Sequence, residues 1–385
     1  MTSTLITNIG QLVTNDPKLG DESILGICRN VSVLIEAGKV NWIGETKREP
    51  IADSQIDALG MSVIPGFVDS HTHAIFAGNR LQDFLARMSG TKYATGGIDT
   101  TVAATRAATD SELRNNLASI VQEFHTSGTT TFEVKSGYGL NVETERRLLR
   151  IAREFTEETT FLGAHVLPME FENDRRGYID LVQGEMLRKV KADAKWIDVF
   201  CDEGAFSPDE AREIILAGQG QGLSGRLHGN QLGNSGGIEL AVELELASVD
   251  HCTFTTDKQL EALASSQTVA TLLPGAEFSS RSSYPDARRF FAAGVSVALA
   301  SDCNPGSSFI SSMPFAMAIA VRDMHFTPEQ ALNAATKGGA IALRRNEVGH
   351  LSIGAAADLL ILNVPTYEYF AYRPGTNLIA QVIQH

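Results

Sequence analysis

The sequence predicts an α/β fold, a (β/α)8 TIM barrel with a small composite β-sandwich domain built from both chain ends. Three observations carry this. Eight apolar, β-rich runs recur between residues 63 and 301, many of them followed by amphipathic helical stretches. Seven of the eight runs end in polar or ionisable residues. The two ends of the chain lack this alternation and read as short strands and turns.

Taken in order, residues 1–62 contain an apolar run at 31–35, a turn at Ala37-Gly38 and a second run at 40–43, which is the pattern of a hairpin. The tail repeats this texture, with Leu351, a turn near Gly354 and a run at 358–362. Each end alone is too small to bury a good core, so the two are expected to pair. The expected division is therefore 1–62 plus 349–385 as the β-domain and 63–348 as the barrel. The barrel strands are placed at 63–70, 129–135, 160–166, 197–202, 223–228, 248–252, 268–273 and 296–301. Helices are placed between them, for example at 142–156, 208–218 and 235–245, and another at 328–343 packs the barrel.

Composition bounds the function. The chain has 385 residues, enough for a large barrel and an accessory domain. With 46 acidic against 32 basic residues its net charge is −14, which argues against a nucleic-acid or acidic-membrane partner but leaves room for a local basic pocket. Cys28, Cys201, Cys252 and Cys303 show no C-x-x-C spacing, so a reducing compartment is expected. No signal-peptide pattern and no apolar run of the roughly 20 residues needed to span a membrane are present. The expected location is the cytoplasm.

In such a barrel the chemistry sits at the C-terminal ends of the strands. The first run ends in His71-Thr72-His73, the second in Glu133-Val-Lys-Ser-Gly-Tyr138, and the third in His165. The fourth ends in Asp202-Glu203, the fifth in His228-Gly-Asn-Gln231, the sixth in Asp250-His251 and the eighth in Asp302-Cys-Asn304-Pro-Gly306-Ser307. The seventh offers only Pro274-Gly275. Side chains alternate along a strand, so His71 and His73 face the same way. With His228 and Asp302 they form a set suited to a divalent metal. Alternation turns the thiols of Cys252 and Cys303 away from the lumen, toward packing. Arg80 is either a solvated charge or a bidentate partner for a carboxylate. Tyr138 is a packed turn residue or a hydroxyl donor. His165 is open between ligand, substrate contact and satisfied core histidine, and Glu133 and Lys135 read as structural. Asn304 shares the face of Asp302, and Gly306-Ser307 could offer backbone N–H groups to a bound group.

The segment Pro65-Gly-Phe-Val-Asp-Ser-His-Thr-His73 resembles the entry motif of the amidohydrolase superfamily. A narrower pattern resembles the imidazolonepropionase family. It comprises His71-Thr-His-Ala-Ile-Phe-Ala-Gly-Asn-Arg80, Glu133-Val-Lys-Ser-Gly-Tyr-Gly-Leu140, Phe161-Leu-Gly-Ala-His165, Asp198-Val-Phe-Cys201 and Ser301-Asp-Cys-Asn-Pro-Gly-Ser307. The resemblance runs from about residue 60 to residue 360. It implies metal ligands at His71, His73, His228 and Asp302, and substrate contacts at Arg80, Tyr138, His165, Asn304, Gly306 and Ser307. It places His251 as the catalytic histidine. Asn230 and Gln231 depart from acidic residues found in some members, and a glutamine cannot act as a general base. Gln231 is instead expected to orient the substrate beside the catalytic His251 and Asp302.

The resemblance further implies one metal ion, zinc or iron, and hydrolysis of 4-imidazolone-5-propionate to N-formimidoyl-glutamate. The expected partner is a small molecule bearing a carboxylate, with a homodimer left open. Deamination of a ring such as cytosine or guanine is the rival activity, since it uses nearly the same ligand set but needs no carboxylate clamp. A catalytically inert binding protein on the same barrel is the rival from another class.

Overall fold

The computed structural model describes residues 3–90 and 97–384. The chain divides into two compact units, one drawing on Met1–Ser70, Glu123–Thr131 and Ser312–His385, the other on His71–Gln122 and Phe132–Ser311.

The first unit is organised by a seven-stranded sheet. Its order runs Ile379–Ile383, Leu359–Leu362, Ser62–Pro65, Ser3–Val13, Ile27–Glu36 and Lys39–Glu45, with Ser54–Asp57 also paired to Ser3–Val13. The two chain ends meet where Leu359 and Ile361 stand opposite Pro65 and Val63 in antiparallel register. Apolar residues from both ends, among them Ile6, Ile9, Val33, Val63, Leu359 and Ile361, share one buried core. This shared burial explains the composite domain, because neither end holds enough apolar surface by itself. The hairpin forms as expected. Ala37 and Gly38 both have positive φ, 50° and 74°, as a two-residue turn matched to strand twist requires.

In the second unit parallel strands follow one another round the sheet. Val134–Lys135 pairs with Thr159–Ala164, and that strand with Trp196–Cys201. Leu227–Gly229, Ser248–His251, Val269–Leu272 and Val297–Leu299 continue the order. The segment 71–73 closes the ring. Thr72 bridges Cys303, and its carbonyl accepts from the Lys135 N–H at 2.9 Å. Eight strand positions thus surround one lumen, with the C-terminal ends of all of them on one rim. The strands are buried, and the intervening helices start where the sequence supplies caps. Ser207 and Glu210 form a capping box ahead of Pro208–Gly220, and Asn141 caps Val142–Ala152. The helix expected at 328–343 is present, but a π-helical turn at Ala334–Gly338 interrupts it.

Candidate active site

The rim gathers side chains from six strands. Nε2 of His73 lies 3.3 Å from Nε2 of His71 and 3.2 Å from Nε2 of His228. Oδ1 of Asp302 lies 3.6 Å from His71 Nε2 and 3.7 Å from His73 Nε2. A tetrahedral ion with ligands at about 2.0–2.1 Å separates them by about 3.3–3.4 Å, so four donor atoms here have the spacing of a metal shell. His251 lies close enough to His71 and His228 to share a ligand cluster with them.

The protonation state suits this role. Burial first, then the positive charges of neighbouring groups, holds His71, His73 and His251 well below the usual imidazole range. They are therefore neutral, with a lone pair to offer. Burial lifts the Asp302 carboxyl well above its ordinary range, against hydrogen bonds from Asn304 and Ser307. An anion there needs a cation beside it. Imidazoles together with one carboxylate are a fitting donor set for a borderline divalent metal.

Two of the imidazoles are aimed from behind. His71 Nδ1 donates to Asp250 Oδ2 at 2.7 Å, and His228 Nδ1 donates to Asp198 Oδ1 at 3.0 Å. Each bond turns a ring so that Nε2 faces the lumen. His73 Nδ1 has no hydrogen-bond partner among the described residues. Below these lies a floor of charge, all of it fully buried. Lys135 Nζ stands 2.7 Å from Glu133 Oε1 and 2.8 Å from Asp198 Oδ2, and Arg226 Nη2 stands 3.3 Å from Asp250 Oδ2. The Arg226 guanidinium also lies over the Trp196 ring.

The wall opposite is built from loops. Arg80 donates from Nε to Asp83 Oδ2 at 2.7 Å, and it borders a cavity also lined by Tyr138, His165, Gln231, His251, Asp302, Asn304 and Ser307. A methyl group on Gly97 would overlap Arg80 Nη2, so a side chain there would push the guanidinium from this position. His165 donates from Nδ1 to the Gly137 carbonyl at 3.0 Å, and its ring stacks on that of His73 at 5.1 Å. Burial, with His228 adding, pushes its imidazole down to about 3. Tyr138 is buried beside both rings.

Asn304 uses its side chain locally. Its Oδ1 accepts from the N–H groups of Gly306 and Ser307 at 2.8 and 2.7 Å, so those two amides close the loop on itself. The Gly306 carbonyl accepts from Arg87 at 2.7 Å. Asp202, undecided in sequence, holds the Gln231 loop through the N–H groups of Gln231 and Leu232 at 2.6 and 3.0 Å. Tyr93, a second residue whose hydroxyl could meet a carboxylate, lies outside the described residues.

Backbone strain marks the same rim. Asn230, His251, Cys252 and Asp302 all have φ between 54° and 80°, a region that L side chains rarely adopt. Cys252 and Cys303 are fully buried, in keeping with packing.

Arg226 and Glu277, and the parts that Asp198 and Asp250 play, emerge from the structure rather than from the motifs. The signal was present, because each of Asp198, Arg226 and Asp250 interrupts an apolar central strand, and a charge there must find a partner. Glu277 follows the one strand that offered only Pro274-Gly275. It is buried, and its Oε1 accepts from Thr253 Oγ1 at 2.6 Å.

Comparison with known proteins agrees with this geometry. The amidohydrolase family model matches residues 62–383. An imidazolonepropionase of Streptomyces coelicolor is 56% identical over 380 residues, covering 99% of this chain and 97% of the relative. One from Salinispora arenicola is 57% identical over 387 residues, covering 100% and 98%. Among solved structures, the zinc complex of atrazine chlorohydrolase from Arthrobacter aurescens superposes with a TM-score of 0.76 at 14% identity, covering 99% of this chain and 94% of that one. A zinc-bound adenosine deaminase from Xanthomonas campestris gives 0.71 at 16%, covering 99% and 91%. At such identities these structures speak for the fold alone. A barrel with imidazoles and a carboxylate converging at its rim, matched over nearly its full length by relatives more than half identical, belongs to the amidohydrolase family and, within it, to the imidazolonepropionases.

Proposed function

We infer that this chain is a hydrolase of cyclic C–N bonds that converts 4-imidazolone-5-propionate to N-formimidoyl-glutamate in histidine degradation. The observation that carries the reading is the pairing of a cluster of metal-ligand type with one buried arginine on the facing wall of the same cavity. The family is metal-dependent, and the rim supplies a donor set to match.

His71, His73, His228 and Asp302 would hold a single ion, zinc or iron. When bound, such an ion supplies Lewis acidity toward water and the amide carbonyl. The chain's own residues do the rest. Arg80, with Tyr138, holds the propionate, and its Nε bond to Asp83 leaves both terminal nitrogens to form a fork. His165, Gln231 and Asn304 orient the ring. His251 is neutral and hydrogen-bonds the attacking water or the developing oxyanion. As water oxygen adds to the carbonyl carbon and the ring C–N bond breaks, Asp302 takes the water's proton and passes it to the leaving nitrogen. Gly306 lets the Arg80 side chain pass, and Ser307 donates to Asp302 Oδ2 at 3.3 Å.

The partner this reading requires is a small carboxylate-bearing molecule. Nucleic acid and membrane do not suit a chain of charge −14 in which no helix among the described residues is long and apolar enough to cross a bilayer. Four cysteines without C-x-x-C spacing suit a reducing compartment, the cytoplasm. A homodimer remains compatible with the chain. The functional division is 1–62 plus 349–385 as support and 63–348 as the catalytic barrel. The direct test is turnover of the imidazolone against a panel of aminated bases. Activity on a base and none on the imidazolone would replace this reading with a deaminase.

A further inference from the structure

Lys135 occupies a place that the reaction does not use. Its ammonium is completely buried at the end of the second barrel strand. Burial opposes a charge there, yet Asp198 and Glu133 outweigh it and hold the ammonium protonated. Nζ is 2.8 Å from Asp198 Oδ2, and Oδ1 of that same carboxylate accepts from His228 Nδ1 at 3.0 Å. Nζ is also 3.9 Å from Asp250 Oδ2, the oxygen that accepts from His71 Nδ1 at 2.7 Å. Arg226 forms ion pairs with Asp250 and Glu133 and acts on Asp198 only by longer-range attraction. Among the described residues, Lys135 is thus the one cation that forms ion pairs with both carboxylates that aim ligand imidazoles.

We propose that Lys135 is a positioning residue that fixes His71 and His228 together, through Asp250 and Asp198, in the tautomer that points Nε2 at the metal position. The physical argument has two parts. An ionised carboxylate only accepts, so each imidazole bonded to one must carry its proton on Nδ1 and expose the Nε2 lone pair. A buried carboxylate stays ionised only while cations compensate it; Arg226 is the nearer one to Asp250, and Lys135 is the one that reaches both aspartates and so couples them. The two ligands are therefore set jointly. His73, without an Nδ1 partner among the described residues, stands outside this device. Glu133 supplies the balancing charge. It bonds Lys135 Nζ and accepts from the Thr72 N–H at 3.2 Å, but touches no ligand imidazole.

The inference rests on the metal assignment above, and its test separates the two. Lys135→Met alone leaves buried carboxylates uncompensated, so the informative variant is Lys135→Met with Glu133→Gln, which removes one charge of each sign and leaves both aspartates in place. Zinc affinity of the apo-protein is measured by competition with a chromophoric chelator. Imidazole tautomers are read from ¹⁵N shifts. Wild type binding one zinc, and losing it in His71→Ala, bears on the metal assignment. The inference predicts that the double variant binds zinc about 10- to 100-fold more weakly, with the His71 and His228 signals perturbed together and those of His73 unmoved. A folded double variant with wild-type zinc affinity and unchanged tautomers overturns it. Should that variant not fold, the wild-type apo-protein decides. His71 and His228 must both be Nδ1-protonated at neutral pH, and either one found protonated on Nε2 overturns the proposal.

Discussion

The floor and the wall of the cavity are built on opposite principles. The floor consists of Glu133, Lys135, Asp198, Arg226 and Asp250, all in barrel strands or the one-residue breaks between their segments, all fully buried, each within reach of an opposite charge. The wall consists of Arg80, Gln231, Asn304, Gly306 and Ser307, all from loops, held by short-range bonds such as those from the Gly306 and Ser307 amides to Asn304. Strands lend rigidity to groups that must not move, while loops carry groups that vary with the substrate. The difference separates the catalytic power of the site from its selectivity.

The harshest break of the comparison is loss of a ligand. His71→Ala or Asp302→Ala should abolish metal retention and lower activity by roughly 1000-fold or more, equivalent to at least about 4 kcal/mol. Elemental analysis beside the assay checks both, and full activity in a chelator-treated wild type would sink the metal reading.

A floor charge should cost stability where a wall charge does not. Lys135→Met should lose about 3–5 kcal/mol in chemical denaturation, the usual penalty for breaking a buried pair. Arg80→Lys should change stability by about 1 kcal/mol or less, since its bond to Asp83 is short-range and Asp83 is partly exposed. Equal losses would erase the distinction drawn here.

The wall answers instead in selectivity. A charged hydrogen bond contributes about 1.5–3 kcal/mol, so Arg80→Ala should lower kcat/KM by roughly 10- to 1000-fold with metal content intact. Arg80→Lys should fall between, because lysine keeps the charge and loses the fork. For an imidazolone analogue without the carboxylate the defect should largely vanish. If both substrates suffer equally, Arg80 supports the loop rather than the propionate.

Glu277 sharpens the picture from the side of stability. Burial pushes its carboxyl up to about 7 from an ordinary 4.5. The native state therefore keeps a proton that the unfolded chain has released, and this costs stability progressively as pH rises from 4.5 through 7. Glu277→Gln should match wild type near the acid end and exceed it above neutrality, by on the order of 2 kcal/mol. Urea melts at several pH values test the sign; a variant less stable than wild type at high pH would show Glu277 to be ionised and stabilising. The smallest effect is expected at Gln231. Truncation to Ala should raise KM or lower kcat by roughly tenfold, through loss of a neutral hydrogen bond or two, and unchanged values for both would remove Gln231 from the ring contacts.

Much of this was written in local pattern. The spacing His71-Thr-His73 placed two imidazoles on one face because side chains alternate along any strand, whatever its neighbours. Seven of eight apolar runs end in polar residues, and those ends locate the rim. The same parity turned Cys252 and Cys303 inward to packing. What the linear pattern did not contain is adjacency across the lumen. His71 meets Asp250 over 179 positions of chain, and His228 meets Asp198 over 30. Those partners exist only once the ring of strands closes at Thr72 and Cys303. Likewise the bonds that Asn304 Oδ1 accepts from Gly306 and Ser307 exist only once the loop folds back, and Glu277 lies beyond a strand end that offers only Pro274-Gly275. Periodicity is a property of each strand alone, so the sequence determined which way side chains face. Register and closure decide which charges share a dry interior, and there an unpaired group is too costly to survive.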